Sequence, residues 1–150
     1  MRGNQTQEED FRRYTQHELN EIVERHAYFL TGRRGGARAI IKFGDLSDLT
    51  LAGKDLSQAH FTGSSLARCD LSRGIFGGTC FFSCDLRQAD FSHASLARAD
   101  FRGAHLAGAN LTGANMVNAD MVGAILVAAV MRGAILIGAD MSDADMFGAD

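Results

Sequence analysis

Proline is absent from the 150 residues, and the seventeen glycines are scattered rather than clustered, so no proline- or glycine-rich linker divides the chain. Cysteine is scarce. Cys69, Cys80 and Cys84 are odd in number, which fits free thiols in a reducing cytoplasm better than a disulfide framework. Long apolar runs are also missing. In the most apolar stretch, GAILVAAVMRGAILIG at 123–138, the longest uncharged run is Met121 to Met131, between Asp120 and Arg132. Eleven residues fall short of the roughly 20 that a membrane-spanning helix needs, so no membrane insertion is expected. The opening MRGNQTQEED contains no apolar segment of the kind that marks a secretory signal.

What remains is a globular composition, 46% hydrophobic, with length enough for one domain. Net charge is −3, unevenly spread: residues 1–44 hold eight Lys/Arg and six Asp/Glu, whereas 45–150 hold seven and twelve. Neither half has the strong basic excess of a nucleic-acid binder, and no direct nucleic-acid contact is expected.

From residue 41 a large apolar side chain recurs every five residues, beginning Ile41, Leu46, Leu51, Leu56, Phe61 and ending Met131, Leu136, Met141, Met146. There are twenty-two such positions without insertion or deletion, so the periodicity is continuous over three quarters of the chain. The position two residues before is mostly small (Ser, Thr, Cys, Gly or Ala) in the earlier repeats and alanine throughout from Ala89 to Ala149; between the two lies most often Asp, Asn, Ser or His. A period of five matches neither an α-helix nor a flat strand. It requires a chain that turns a corner every five residues and sends one large and one small side chain inward each time.

The stretch A-D-F-R-G, A-H-L-A-G, A-N-L-T-G, A-N-M-V-N, A-D-M-V-G resembles the pentapeptide-repeat family, whose motif is A-(D/N)-L-x-x. The resemblance implies an all-β solenoid: a right-handed, quadrilateral β-helix with four repeats per coil, here about five and a half coils and roughly 25 Å long at 4.8 Å per coil. Residues twenty apart then stack, as in the interior column Ile41, Phe61, Phe81, Phe101, Met121, Met141.

Before the repeat, Thr15-Gln16-His17-Glu18 reads as a capping box. Leu19, Ile22, Val23, His26 and Leu30 share one helical face, and Gly32 is a stop signal. The expected organisation is an unstructured stretch at 1–14, a capping helix and linker at 15–38, and the β-helix at 39–150. His26 is expected to be a core histidine bonded to backbone. Arg33, Arg34 and Arg38 lie in a glycine loop that lacks a phosphate-binding ending, and are expected to be solvated.

Three surface features bear on function. His60, Cys80 and Asp100 fall in one outward column, the least favoured candidate for a metal or catalytic site: a cysteine between His and Asp is in the wrong order for a triad, and a convex rod offers no pocket. No catalytic role, metal or cofactor is expected. In the same column Asp100, Asp120 and Asp140 form an acidic ladder, whose repulsion Arg102 and Arg132 are placed to relieve. Some family members bind DNA gyrase or topoisomerase IV by imitating B-DNA. That reading is the alternative here, weakened by the interspersed arginines and by the absence of any break in register for a projecting loop. Third, Val117, Val122, Ile125, Val127, Val130, Ile135, Ile137, Met141, Met146 and Phe147 form an apolar girdle near the last coils, many of them in normally polar outward positions. The leading expectation is a non-enzymatic interaction or scaffold module that forms a homodimer through these C-terminal coils.

Overall fold

The repeat coils because each of its backbone donors has one place to go. In the computed structural model, which describes residues 11–150, parallel bridges join residues twenty apart. One line runs Ile40, His60, Cys80, Asp100, Asp120, Asp140, and the next Asp45, Ser65, Asp85, His105, Ile125, Asp145. Twenty residues are four repeats, so every coil has four sides.

The repeat at residues 70–74 shows the accounting. Asp70 N donates to Leu49 O of the preceding coil (3.0 Å), while Leu71 N and Arg73 N donate to Asp90 O (2.7 Å) and Ser92 O (2.9 Å) of the following one. Gly74 N closes the corner on Leu71 O at 3.3 Å, and Arg73 takes φ 57° there, the geometry of a type II turn. The fifth donor, Ser72 N, lies outside the ladder, and Asp70 Oδ1 accepts it at 3.0 Å. All five N–H groups are satisfied. This is the physical role of Asp or Asn in the motif. The same bond recurs from Asp55, Asp85, Asp90, Asp100, Asn110, Asn115, Asp120, Asp140 and Asp145. The corner residue has positive φ in all twenty-two repeats from Phe43 to Gly148, yet only ten of these are glycine. Ladder closure therefore imposes the left-handed corner even on side chains that disfavour it.

Inside, the large residues from Ile41 to Leu126 are buried. Phe61, Phe81 and Phe101 stack along the axis with centroids 5.6 and 5.0 Å apart, and Phe91 meets Phe81 and Phe101 edge-on. Where a hydroxyl or thiol residue takes the small position it makes a bond that alanine cannot. Ser64, Cys69, Thr79 and Cys84 donate to the carbonyls of Ile41, Leu46, Leu56 and Phe61 at 2.8–3.0 Å. Burial pushes both the Cys69 and Cys84 thiols up to about 12, so they stay protonated and inert.

Helix α1 (Gln16–Leu30) lies over the first coil. The Thr15 hydroxyl accepts Glu18 N at 3.2 Å and the Glu18 carboxylate accepts Thr15 N at 2.9 Å, a complete capping box. At the other end Gly32 adopts φ 68°, with Arg33 N bonded to Tyr28 O and Gly32 N to Phe29 O, a Schellman stop. Leu19 and His26 are fully buried, and Ile22 and Val23 pack on the core. Of the stretch 1–14 expected to be unstructured, residues 1–10 lie outside the described residues. Residues 11–14 depart from that expectation. Strand β1 (Arg12–Arg13) pairs in parallel with β2 (Gly44–Asp45), and Tyr14 N donates to Asp45 O at 2.9 Å. The open edge of the first coil supplies the partner that two consecutive arginines did not advertise.

Candidate interaction surfaces

Outward side chains leave from the residue before each core residue and the residue after it. At Ile125, Val130 and Ile135, three consecutive repeats place an aliphatic side chain where the motif has Asp or Asn. Each substitution removes the acceptor for the N–H two residues on, and Val127, Arg132 and Ile137 have no partner for that group among the described residues. The stretch thus gives up both polarity and hydrogen bonds. Ile135 is 45% exposed, Ile137 73%, Met146 40% and Phe147 81%, and Ile125 is also exposed. Val117, Val122, Val127, Val130 and Met141 are half-buried.

The structure divides the apolar girdle. With four sides per coil, residues ten apart lie on opposite sides. Val117, Ile135 and Ile137 share one side; Ile125, Val127 and Phe147 share the opposite one; Val122 and Val130 lie on the two between. One flat contact cannot cover them all. Reading along the chain also misses Ile75, 44% exposed, which stands in the same line as Ile135 through Ser95 and Asn115. The signal was the spacing of twenty, not proximity in sequence.

The acidic ladder stacks as expected, Asp100 on Asp120 on Asp140. Arg102 binds Asp100 with Nε and Nη2 at 2.9 and 2.8 Å and stands 3.7 Å from Asp120. Partial burial raises the Asp100 carboxyl, but bonds from the Arg102 side chain and backbone outweigh it and hold the group below its ordinary value. Ser142 does the same for Asp140. Arg132 takes no part: the ladder lies on the opposite side of the rod, and Arg132 pairs with Asp150, which stands over Val130 one coil on. His60, Cys80 and Asp100 are stacked neighbours, but the bond recorded for the Cys80 thiol is to the Thr62 hydroxyl, at 3.4 Å. Among the described residues no group of three His, Cys, Asp or Glu side chains is placed to hold a metal ion. In the basic loop, Arg33 lies over the Tyr28 ring and Arg38 over that of Phe29. No described helix is long and apolar enough to cross a membrane.

The model of a family described as pentapeptide repeats matches residues 45–78, 84–123 and 114–150, in eight copies. The chain belongs to the pentapeptide-repeat family. Its four-sided coil is the right-handed β-helix of that family. Among solved structures, the pentapeptide repeat protein Rfr23 from the cyanobacterium Cyanothece 51142 superposes with TM-score 0.58 at 24% identity, over 75% of this chain and 84% of its own. The pentapeptide repeat protein alr5209 from Nostoc PCC 7120 superposes with TM-score 0.57 at 22% identity, over 91% and 98%. Both likenesses are of fold. QnrB1, a plasmid-mediated fluoroquinolone resistance protein, is 28% identical over 75% of this chain and 68% of its own, but at TM-score 0.35 it superposes too loosely to carry an argument. A comparison with curated proteins finds no match.

Proposed function

We propose that this pentapeptide-repeat protein is a non-catalytic interaction module that associates through its C-terminal coils, in the first place with a second copy of itself. The observation that carries the reading is the run Ile125, Val130, Ile135. Each replaces a residue that elsewhere closes a backbone hydrogen bond worth roughly 0.5–1.5 kcal/mol, and the N–H groups of Val127, Arg132 and Ile137 have no protein partner in its place among the described residues. Contact with a partner offsets the loss by burying the side chains. The side chains of Val117, Val122, Val127, Val130, Ile137 and Phe147 extend the apolar area around the same coils, and Met141 and Met146 offer side chains that repack easily at a joint. The three free cysteines suit a reducing cytoplasm.

The gyrase-directed alternative has less support. Arg102 sits between two of the three ladder carboxylates, so the column does not present the bare, regularly spaced negative charge that imitation of a DNA backbone calls for.

Sedimentation of the wild type is expected to show dimer. Replacing Ile135 and Ile137 together by Lys is expected to yield soluble monomer with the β circular-dichroism signal intact. A wild-type chain that sediments as monomer at high micromolar concentration sinks the reading.

A further inference from the structure

The four sides of the rod differ in charge, and one is nearly neutral. The side built from residues 54–58, 74–78, 94–98, 114–118 and 134–138 carries one carboxylate, Asp55, beside Lys54 in its first coil; above that coil it carries none, and its one cation there is Arg98, at a corner. Each of the other three sides carries at least three aspartates. Two columns of outward side chains run up the neutral side. The first is Ile75, Ser95, Asn115, Ile135, joined by consecutive parallel bridges. The second, two residues further along each strand, is Gly77, Ala97, Val117, Ile137. Above Ser57 of the first coil this second column grows at each step, from no side chain through a methyl and a branched three-carbon group to the full isoleucine chain. It is a ramp.

A ramp fits a copy of itself turned end for end. From this gradient we infer that two copies of the chain pack side against side through this face with their rods antiparallel, about a twofold axis passing midway between the coils of Ser95 and Asn115. The inference rests on the self-association proposed above and adds its face, orientation and register. In that arrangement Ile137 of one copy lies over Gly77 of the other, and Val117 over Ala97, so the combined bulk is the same at both levels and the faces stay parallel at the ~10 Å spacing of stacked sheets. Ser95 meets Asn115, a hydroxyl facing an amide that can both donate and accept. Ile75 meets Ile135, and Arg98 faces the neutral Asn118 rather than its own copy. A parallel pairing about a twofold axis along the rod would set Ile135 against Ile137 at one end but Ile75 against Gly77 at the other, leaving a wedge-shaped gap at the Gly77 end. Four strands at 4.8 Å by three or four residues across give a footprint on the order of 200 Å², against the ~800 Å² per partner of a stable complex. The pairing is therefore weak and reversible, with a dissociation constant on the order of tens of micromolar or above.

The test is sedimentation equilibrium of the full chain from about 10 µM to about 1 mM. Ala97→Lys and Val117→Asp lie away from the last coil, and each alone is expected to weaken the dimer about tenfold or more by placing an unpaired charge in the contact. An equimolar mixture of the two variants is expected to pair again, because in the antiparallel register the new ammonium of one faces the new carboxylate of the other. Ser95→Glu provides a third, half-buried site on the same face should either variant fold poorly. A wild-type dimer that all three variants leave unchanged overturns this face while self-association through the last coil stands. A mixture that stays monomeric after each variant dissociates overturns the antiparallel register. A monomeric wild type overturns both readings.

Discussion

The two ends of the rod present the same kind of edge and meet different fates. At the first coil, three unlike devices take the place of a neighbouring coil. Strand β1 pairs with Gly44 and Asp45 through backbone. The Gln16 side-chain amide stands in for a peptide unit, accepting Thr50 N and donating to Thr50 O, each at 2.9 Å. The His26 ring accepts Ala39 N on Nδ1 at 2.9 Å, which places its proton on Nε2, 3.0 Å from Ser57 O. At the coil formed by residues 131–150, the amides of Leu136, Met141 and Met146 have no such partners among the described residues, and the side chains of the same residues are only partly covered. A β edge is thus closed by matching donors and acceptors one by one, and closing it requires no repeat. An edge without such partners is adhesive by the same physics.

The largest contrast comes from one interior column. Ile41 and Met141 occupy equivalent positions at its two ends, but Ile41 is 1% exposed beneath the cap and Met141 is half-buried. Ile41→Ala is expected to cost about 2–5 kcal/mol in urea denaturation, and Met141→Ala roughly 1 kcal/mol or less. Equal losses would show that the cap adds nothing to the packing of its coil.

The pH dependence of the capped end is next in size. Burial lowers the His26 pKa below its ordinary value, helped by Arg38 and opposed by the Ser57 carbonyl and Asp55, so the folded ring is neutral. The unfolded chain binds the proton more readily. The stability held by the neutral ring is complete above about pH 6.5 and is lost as pH falls from there through the lower folded value. Protonation also sets a donor on Nδ1 against the Ala39 N–H. Thermal denaturation from pH 8 to about 5 is expected to fall for the wild type. His26→Leu is expected to be less stable at neutral pH, by roughly 2–4 kcal/mol for two backbone groups left unpaired, but flatter across that range. A wild-type curve as flat as the variant's would remove His26 as its source.

The smallest effects compare exposed polar contacts. Gln16→Ala is expected to cost about 1 kcal/mol, since both of its bonds reach the ladder of the first coil. Arg132→Ala, which breaks the solvent-exposed ion pair with Asp150 at the other end, is expected to leave the denaturation midpoint nearly unchanged. Reversal of that order would mean that the amide is a bystander at the edge.

Much of this was written in local sequence. The five-residue period fixes which side chains go inward, the small position allows the corner, and the Thr15–Glu18 box marks the helix start, because each depends on residues a few positions apart. The Asp of each repeat announces polarity. That it also closes the backbone bond of the residue two positions on appears only once the ladder has claimed the other donors. The closure of the coil decided the rest. It gave Arg12–Arg13 and Gln16 an edge to pair with, carried Arg132 to Asp150 instead of the acidic ladder, and split an apolar girdle that looks continuous in sequence onto opposing sides. It also brought Ile75 into line with Ile135, sixty residues away. The physical reason is one of range. The register of twenty is set by backbone hydrogen bonds between coils, and those bonds ignore side-chain identity, so which surface residues become neighbours is decided by the geometry of closure.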